Sequence, residues 1–356
     1  MTENHHMHKA IIAALLSALL FGISTPLAKV LVAELPPVAL AGLLYLGAGI
    51  GLLSWRGWRQ RRTDLPQSGE AALERADWGW LLGAILAGGV TAPILLLYGL
   101  TQINGSAAAL LLNLEGVFTA LLAWFLFHEN VDRRIALGFS LIALAGVLLS
   151  WEGTPVGGFP MGALAVVLAC LGWAVDNNLT QHISGRDPVQ IAGIKGLVAG
   201  LINLVLAAIT GWGQPTIGSV SAALLLGLFG YGVSLSLFVW ALRHLGTART
   251  GAYFSVAPFF GALAALVILA ERPGTAFWLA AILMAIGVWL HIRERHAHLH
   301  RHERLVHTHP HRHDEHHQHT HDANWDGIEP HTHRHEHAPL MHMHPHYPDL
   351  HHRHRH

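Results

Sequence analysis

"GLTQINGSAAALLLNLEGVFTALLAWFLFHE", residues 99–129, and "ALRHLGTARTGAYFSVAPFFGALAALVILAE", residues 241–271, align without a gap. Leu100 falls on Leu242, Ala120 on Ala262 and Glu129 on Glu271. Each stretch is apolar, long enough for a helix, and closed by a carboxylate. The same unit is therefore written twice in the chain. Upstream the match continues more loosely. "LLFGIS" (19–24) resembles "CLGWAV" (170–175), and "PPVALAG" (36–42) resembles "DPVQIAG" (187–193).

What surrounds the repeat decides its solvent. The chain has 356 residues, 52% hydrophobic and only 12% charged, against about 25% charged in a typical soluble domain. Residues 10–290 are a succession of apolar stretches separated by short polar breaks. A stretch of roughly 20 apolar residues crosses a hydrocarbon core of about 30 Å as a helix. Ten such helices are predicted, at 10–33, 37–55, 78–100, 105–127, 133–151, 160–183, 187–211, 218–241, 246–270 and 274–293. The first lacks a small-residue cleavage site followed by soluble sequence, so it is read as retained in the membrane. The single cysteine, Cys170, excludes an intramolecular disulfide and a cysteine-based metal site.

Charge placement orients the helices. Arg56, Arg59, Arg61, Arg62 and Arg75 fall in the second loop, Arg133 and Arg134 in the fourth, Arg186 in the sixth, Arg243 and Arg249 in the eighth. Of the odd-numbered loops only the ninth carries a cation, Arg272. Cytoplasmic loops collect Lys and Arg, so the even loops and both termini are predicted to be cytoplasmic. Five helices per half force the second half to enter the membrane upside down. The divisions are a short N-terminus (1–9), a first repeat (10–151), a linker outside the cytoplasm (152–159), a second repeat (160–295) and a tail (296–356). Inverted repeats are characteristic of secondary transporters, in which one repeat rocks against the other. A duplicated helical scaffold without transport is the plainer alternative.

With Gly22 and Gly172 early in the first helix of each half, and Glu129 and Glu271 closing each fourth helix, the chain resembles the drug/metabolite transporter superfamily, EamA type. The resemblance covers residues 10 to about 293. It implies an all-α polytopic membrane protein, ten transmembrane helices as two inverted five-helix repeats, moving small molecules by exchange or on an ion gradient. Bacterial inner (cytoplasmic) membrane is the expected location. One departure stands out: similar proteins often have proline where this chain has Gly116, whereas Pro258 is kept. Helix 4 is thus expected to be straighter than helix 9, with "NLEG" a local specialisation.

Four ionisable residues lie well inside predicted helices: Lys29, Glu115, Asp176 and Lys195. A central charge is penalised by roughly 2.5–3.5 kcal/mol even on a lenient scale, so each must face the bundle interior or water. Lys29 is close enough to a helix end to snorkel. Asp176 and Lys195 lie at matching depth on consecutive helices, so an ion pair is expected. That pair is either a brace between helices or a gate and substrate contact. Neighbouring Asn177 and Asn178, nearby Gln190 and the close-approach step Gly196–Gly200 favour the second. Glu115 stands alone beside Asn113 and Gly116. Apolar surroundings favour the neutral acid, as a proton-coupling group needs; a plain interhelical hydrogen bond is the alternative. Thr25, Tyr98, Thr119, Trp173 and Tyr253 could line the same walls.

The tail, 296–356, holds 23 histidines and few large apolar side chains, so it cannot bury a core and is expected to be disordered. "HTHPHRHDEHHQH" (307–319) and "HMHPHYPDLHHRH" (342–354) share the pattern H-x-H-P-H-x-x-D-x-H-H-x-H. Imidazole ligates Ni²⁺, Zn²⁺, Co²⁺ and Cu²⁺, and H-x-H in an extended chain turns two rings to one side. With thiolates absent, Ni, Zn or Co is favoured over Cu(I). The candidate ligands are His307, His309, His311, His313, His316, His317 and His319, then His342, His344, His346, His351, His352 and His354; His5, His6 and His8 add a smaller cluster. Two other readings stay open. At pH 6.5 about half the imidazoles are charged, which makes a pH sensor able to dock on anionic lipid; the third reading is low-complexity drift.

No phosphate-binding G-x-x-x-x-G-K-[ST] or H-E-x-x-H constellation is present. The chain is therefore read as a secondary carrier, not an enzyme, with no required cofactor. Its partners are the lipid bilayer and a small-molecule or metal-ion substrate, with no nucleic acid. The Arg-rich second loop is a topology signal in contact with anionic headgroups. Oligomeric state is open, a dimer included. Three readings remain: a transporter carrying or regulated by a divalent metal, a proton-coupled metabolite or drug exporter with an incidental tail, and a membrane-anchored metal buffer or sensor.

Overall fold

The computed structural model describes residues 2–62, 73–127, 133–151, 160–183, 186–212, 215–245, 250, 253–292, 297–301, 305–311, 331–337 and 341–345. Ten helical rods account for most of them. They are α1 (Thr2–Leu31), α2 (Pro37–Arg62), α3 (Arg75–Gln102), α4 (Gly105–Leu111 and Asn113–Phe127), α5 (Arg133–Trp151), α6 (Met161–Gln181), α7 (Pro188–Thr210), α8 (Ile217–Leu226 through Ser234–Leu245), α9 (Ala257–Ile268) and α10 (Thr275–Ile292). Among the described residues, seven helices are long and apolar enough to span a membrane, and three shorter apolar ones complete the ten expected crossings. Apolar side chains point outward, Ile217 being 88% exposed and Ile209 77%. Lipid, not water, is the solvent that such a surface suits.

Local chemistry sets the ends. Asp187 accepts from Val189 N and Gln190 N ahead of Pro188, which starts α7; Gly211, at φ 89°, ends it. α1 begins at Thr2 instead of residue 10, and three further places differ from the sequence reading. α2 runs to Arg62 instead of stopping at 55, because Arg59 lies over the Trp55 ring and Arg56 pairs with Asp187, giving a polar turn at the surface. α4 breaks at Leu112 although it has no proline. There Leu112 N turns to Ala109 O and Glu115 N to Leu112 O, two tight i→i−3 bonds. α9 begins at Ala257 after a turn at residues 255–256, short of the predicted start at 246.

The packing is two-fold. α2 packs on α7, α4 on α9 and α5 on α10; α1 packs on α8 and α9, as α6 does on α3 and α4. Exchanging each helix for its partner five places on returns the same arrangement. Orientation follows from the glycines. Gly42 faces Leu204 and Gly193 faces Leu53, while Gly49 faces Leu197 and Gly200 faces Leu46. Contact numbers rise along α2 as they fall along α7, so these equivalent helices are antiparallel. All four contacts are also exchanged by the 151-residue step that carries Pro36 to Asp187. A Cβ on Gly49 would strike the Leu197 backbone, which is why small residues occupy this crossing. α4 and α9 also run antiparallel, with Gly105 by Leu269 and Ala109 by Gly261. The halves are inverted.

A second correspondence was not visible beforehand. α3 contains a π turn at Ile85–Thr91 and α8 one at Gly227–Val233. Residues 85 and 227 differ by 142, as do Glu129 and Glu271, so both halves interrupt the same rod at the same place.

Beyond α10 the described backbone forms two antiparallel strand pairs, β1 (Ala297–Arg301) with β4 (Met341–Pro345) and β2 (Leu305–His311) with β3 (His331–His337). The sequence predicts no such element. The alternating H-x-H pattern has the period of a strand, although a two-stranded ribbon is marginal on its own. The register sets His307 opposite His335, His309 opposite His333 and His311 opposite His331. It likewise sets His298 opposite His344 and His300 opposite His342.

Candidate functional site

The π turn in α3 takes carbonyls out of the helical ladder where Gly88 and Gly89 are buried, so they need partners from the protein. Side chains from three other helices supply them. Tyr45 Oη (α2) donates to Gly88 O at 2.6 Å, Trp173 Nε1 (α6) to the same oxygen at 2.9 Å, and Asn203 Nδ2 (α7) to Gly89 O at 3.0 Å. All three donors are buried. The missing side chain of Gly88 leaves room for its neighbour: a Cβ there would collide with the Asp176 carboxylate.

Asp176 on α6 is ion-paired with Lys195 on α7, as their matching depth predicts. Their side chains are 4% and 13% exposed, and Thr180 Oγ1 donates to Asp176 Oδ1 at 3.0 Å. Glu115 on α4 lies within electrostatic range of both partners. Its Oε1 accepts from Asn177 Nδ2 at 2.8 Å, and that nitrogen is 3.4 Å from Thr119 Oγ1. Asn177 and Gly116 are exposed, with open space where a Gly116 side chain would lie. Among the described residues the cluster therefore sets two carboxyl groups against one ammonium, the buried acid paired and the half-buried acid held by a carboxamide.

The other sequence candidates divide. Asn178 Nδ2 bonds Ala174 O at 2.8 Å and Thr119 O at 3.3 Å, tying α6 to α4. Asn113 turns away from Glu115: its Nδ2 reaches Leu110 O at 3.1 Å and Met284 Sδ at 3.6 Å, against α10. Positions two apart on a helix face different sides. Gln190 is not beside the ion pair; its Oε1 accepts from Leu73 N at 3.4 Å. Nor does Lys29 snorkel. Its Nζ donates to Leu100 O and Ile103 O, both at 2.7 Å, while Glu271 accepts from Gly105 N at 2.7 Å and Ser106 N at 2.9 Å. Lysine takes the last carbonyls of α3 and glutamate the first amides of α4, each matching the local helix dipole. Of the wall candidates, Thr119 and Trp173 join the cluster, Thr25 is buried, Tyr98 is exposed and Tyr253 packs near Ala10 and Ala14.

Sequence reasoning missed Tyr45, Asn203 and Thr180. Asn203 offered a signal, being a carboxamide in a long apolar run; its Oδ1 has no partner among the described residues. An aromatic row leads off from Tyr45, with ring centroids 5.5 Å apart to Tyr231, 6.0 Å on to Phe21 and 5.5 Å to Phe254.

On the arginine-rich face, Arg56 pairs with Asp187 at 2.8 Å and Arg186 with Glu74 at 2.7 Å and Asp77 at 2.9 Å, joining loops two and six. Among the tail ligands, His307, His309, His311, His342 and His344 are on described strands. His313, His316, His317, His319, His346, His351, His352 and His354 lie outside the described residues, as does Glu129.

Two inverted five-helix units enclosing a few paired charges define a membrane transporter of small solutes. The chain belongs to the EamA-like transporter family, whose signature matches residues 8–151 and 160–293, once per half. It is 31% identical over 290 residues to an uncharacterised transporter of Methanothermobacter thermautotrophicus, covering 78% of this chain and 84% of that protein. It is 26% identical over 248 residues to the uncharacterised inner membrane transporter YedA of Escherichia coli, covering 69% and 78%. A probable 4-amino-4-deoxy-L-arabinose-phosphoundecaprenol flippase subunit, ArnE of Pseudomonas fluorescens, is 34% identical over 108 residues, 30% of this chain but 87% of that subunit. A solved crystal structure at 20% identity shares the fold, with a TM-score of 0.58 over 78% of this chain and 94% of that one. The protein is thus an integral membrane protein of the inner membrane, with the bilayer and a small-molecule substrate as its partners.

Proposed function

We propose that the protein is a secondary transporter whose inverted halves rock about the α2–α7 and α4–α9 crossings. Glu115 is the coupling carboxyl and Asp176–Lys195 the charge pair that substrate meets. The observation that carries this is the unequal pairing of the two acids: among the described residues, Asp176 holds an ammonium and Glu115 the Asn177 carboxamide. An acid with no ion-pair partner among the described residues, beside open space, can exchange a proton or cation as access alternates. Asn177 and Asn178 orient the site from α6. The arginine-rich face is the cytoplasmic one, and both termini lie on that side. There the tail binds a divalent transition metal, Ni²⁺, Zn²⁺ or Co²⁺, and either delivers it as cargo or regulates transport with it. Histidine opposite histidine in both strand pairs supports that assignment.

Proteoliposomes test the reading. Glu115→Gln is expected to fold normally and to transport without dependence on the pH gradient; an unchanged dependence removes Glu115 from the coupling role. Truncation after Arg295 separates the roles of the tail. Loss of metal flux supports metal cargo or regulation, unaffected organic flux makes the tail incidental, and no flux in the full-length protein leaves a membrane-anchored metal buffer.

A further inference from the structure

Among the described residues, three ion pairs cross between the halves at the arginine-rich face. Each sets an arginine of one half against an acid of the other. Arg56 Nε on α2 meets Asp187 Oδ2 at 2.8 Å, and Arg186 of the second half meets Glu74 Oε1 at 2.7 Å and Asp77 Oδ2 at 2.9 Å. Asp77 and Asp187 are buried, although both lie where helices begin. Two further contacts close the same seam. The Trp80 and His182 rings stack 4.0 Å apart, and Leu73 N donates to Gln190 Oε1 at 3.4 Å.

The inverted repeat provides the control. The 151-residue step that carries Pro36 to Asp187 also carries Leu35 to Arg186 and Arg56 to Ala207, and the 142-residue step carries Glu74 to Thr216 and Asp77 to Ser219. The second step holds at this point, since Glu74 and Thr216 are the N-caps of equivalent helices. At the opposite face the equivalent positions are therefore leucine, proline, alanine and two hydroxyls, from which no ion pair can form. Capping does not explain the difference. Asp77 Oδ2 accepts from Glu74 N at 2.8 Å, while Thr216 Oγ1 accepts from Ser219 N at 3.1 Å, and a hydroxyl caps about as well as a carboxylate. Nor does topology: arginines mark the cytoplasmic side, but acids contribute little to that rule. On the far face Glu271 spans the halves at Gly105 N and Ser106 N, but its own equivalent is Glu129, so by sequence it favours neither face.

We propose that these pairs form a one-sided clasp that holds the carrier shut at the arginine-rich face. The resting state then opens to the opposite face, and the pairs must part before the site opens to the cytoplasm. The clasp rests on the alternating-access reading above. Two inverted halves sealed alike at both ends would leave the two access states evenly balanced; a seal present at one end alone tips that balance by what its pairs contribute. Partly exposed ion pairs are individually weak, which suits a contact that breaks in every cycle. Arg186 is the centre of the clasp, because it meets both acids that open α3.

The full-length protein carrying Gly116→Cys, in oriented proteoliposomes without a pH gradient, is labelled from each face with a membrane-impermeant thiol reagent. Labelling is expected mainly from the face opposite the arginines. Adding Arg186→Gln should raise the rate from the arginine-rich face by roughly threefold or more, and Arg56→Gln by less. Arg186→Lys keeps the charge and should keep most of the bias. Molar salt, which shortens the screening length to about 3 Å, should move the intact clasp in the same direction as Arg186→Gln while moving that variant little. Equal labelling from both faces at rest overturns the clasp and leaves the carrier standing. So does an unchanged bias in Arg186→Gln, or in molar salt should that variant misfold. Protection of position 116 from both faces under every condition removes the carrier reading, and the clasp with it.

Discussion

Gly88 on α3 faces Asp176 of α6, and Gly230, 142 residues on, faces Ser24 of α1. The packing is the same and the chemistry is not. Around the first π turn, Tyr45, Trp173 and Asn203 hold the freed carbonyls. Applying the 151-residue step between the second and seventh helices, Tyr45 corresponds to Gly196 and Asn203 to Leu52, so the second π turn has no equivalent pair of donors. Its neighbours are smaller: Ser17 Oγ donates to Ser234 O at 2.7 Å. Glu115 and Gly116 likewise correspond to Ala257 and Pro258. Duplication built a symmetric scaffold, and the ionisable chemistry was placed in one of the two symmetric sites. One half can then carry the charged site while its twin serves as the surface it moves against.

The largest test of that difference removes one partner of the ion pair. Lys195→Met leaves Asp176 buried without its cation and is expected to destabilise the fold by about 3–5 kcal/mol, whereas Ser24→Ala at the matching place should be nearly neutral. Thermal unfolding in detergent measures both; comparable small effects would mean that the pair is dispensable. The scaffold itself should answer symmetrically. Gly49→Leu and Gly200→Leu force a side chain into the same crossing from its two sides, each costing about 1–3 kcal/mol or more. A large effect at one and none at the other would break the two-fold account. Smallest is Tyr45→Phe, which deletes one of two donors to Gly88 O and should cost about 0.5–1.5 kcal/mol. An effect as large as that of Lys195→Met would mean that the hydroxyl, not the carbonyl it serves, is the functional group.

Much of this was legible in the sequence. Ten apolar runs, the gap-free match of 99–129 on 241–271 and the biased arginines carried the helix count and inverted repeat, because a membrane solvent leaves few alternatives. Asp176 and Lys195 were paired correctly from depth alone. Depth gives no azimuth, however, and Asn113 was misplaced beside Glu115 for that reason. The π turns left no signature, since "ILAGGVT" and "GLFGYGV" share only glycine and apolar character with neighbouring helix. Nor did the break at Leu112, which two tight i→i−3 bonds make without proline. Lys29 was expected at the water interface; carbonyls at the α3 end, brought close only by tertiary packing, claimed it instead.

The central claim is that Glu115 and Asn177 border a water path opened in turn to each side. Gly116→Cys places a thiol in open space beside Glu115, and the chain's own Cys170 is buried. A membrane-impermeant thiol reagent, applied from either side of oriented vesicles with the pH gradient set in each direction, reads the path directly. The account predicts labelling from one side under one gradient and from the other side when the gradient is reversed. Protection from both sides under both gradients would put position 116 in lipid and contradict it.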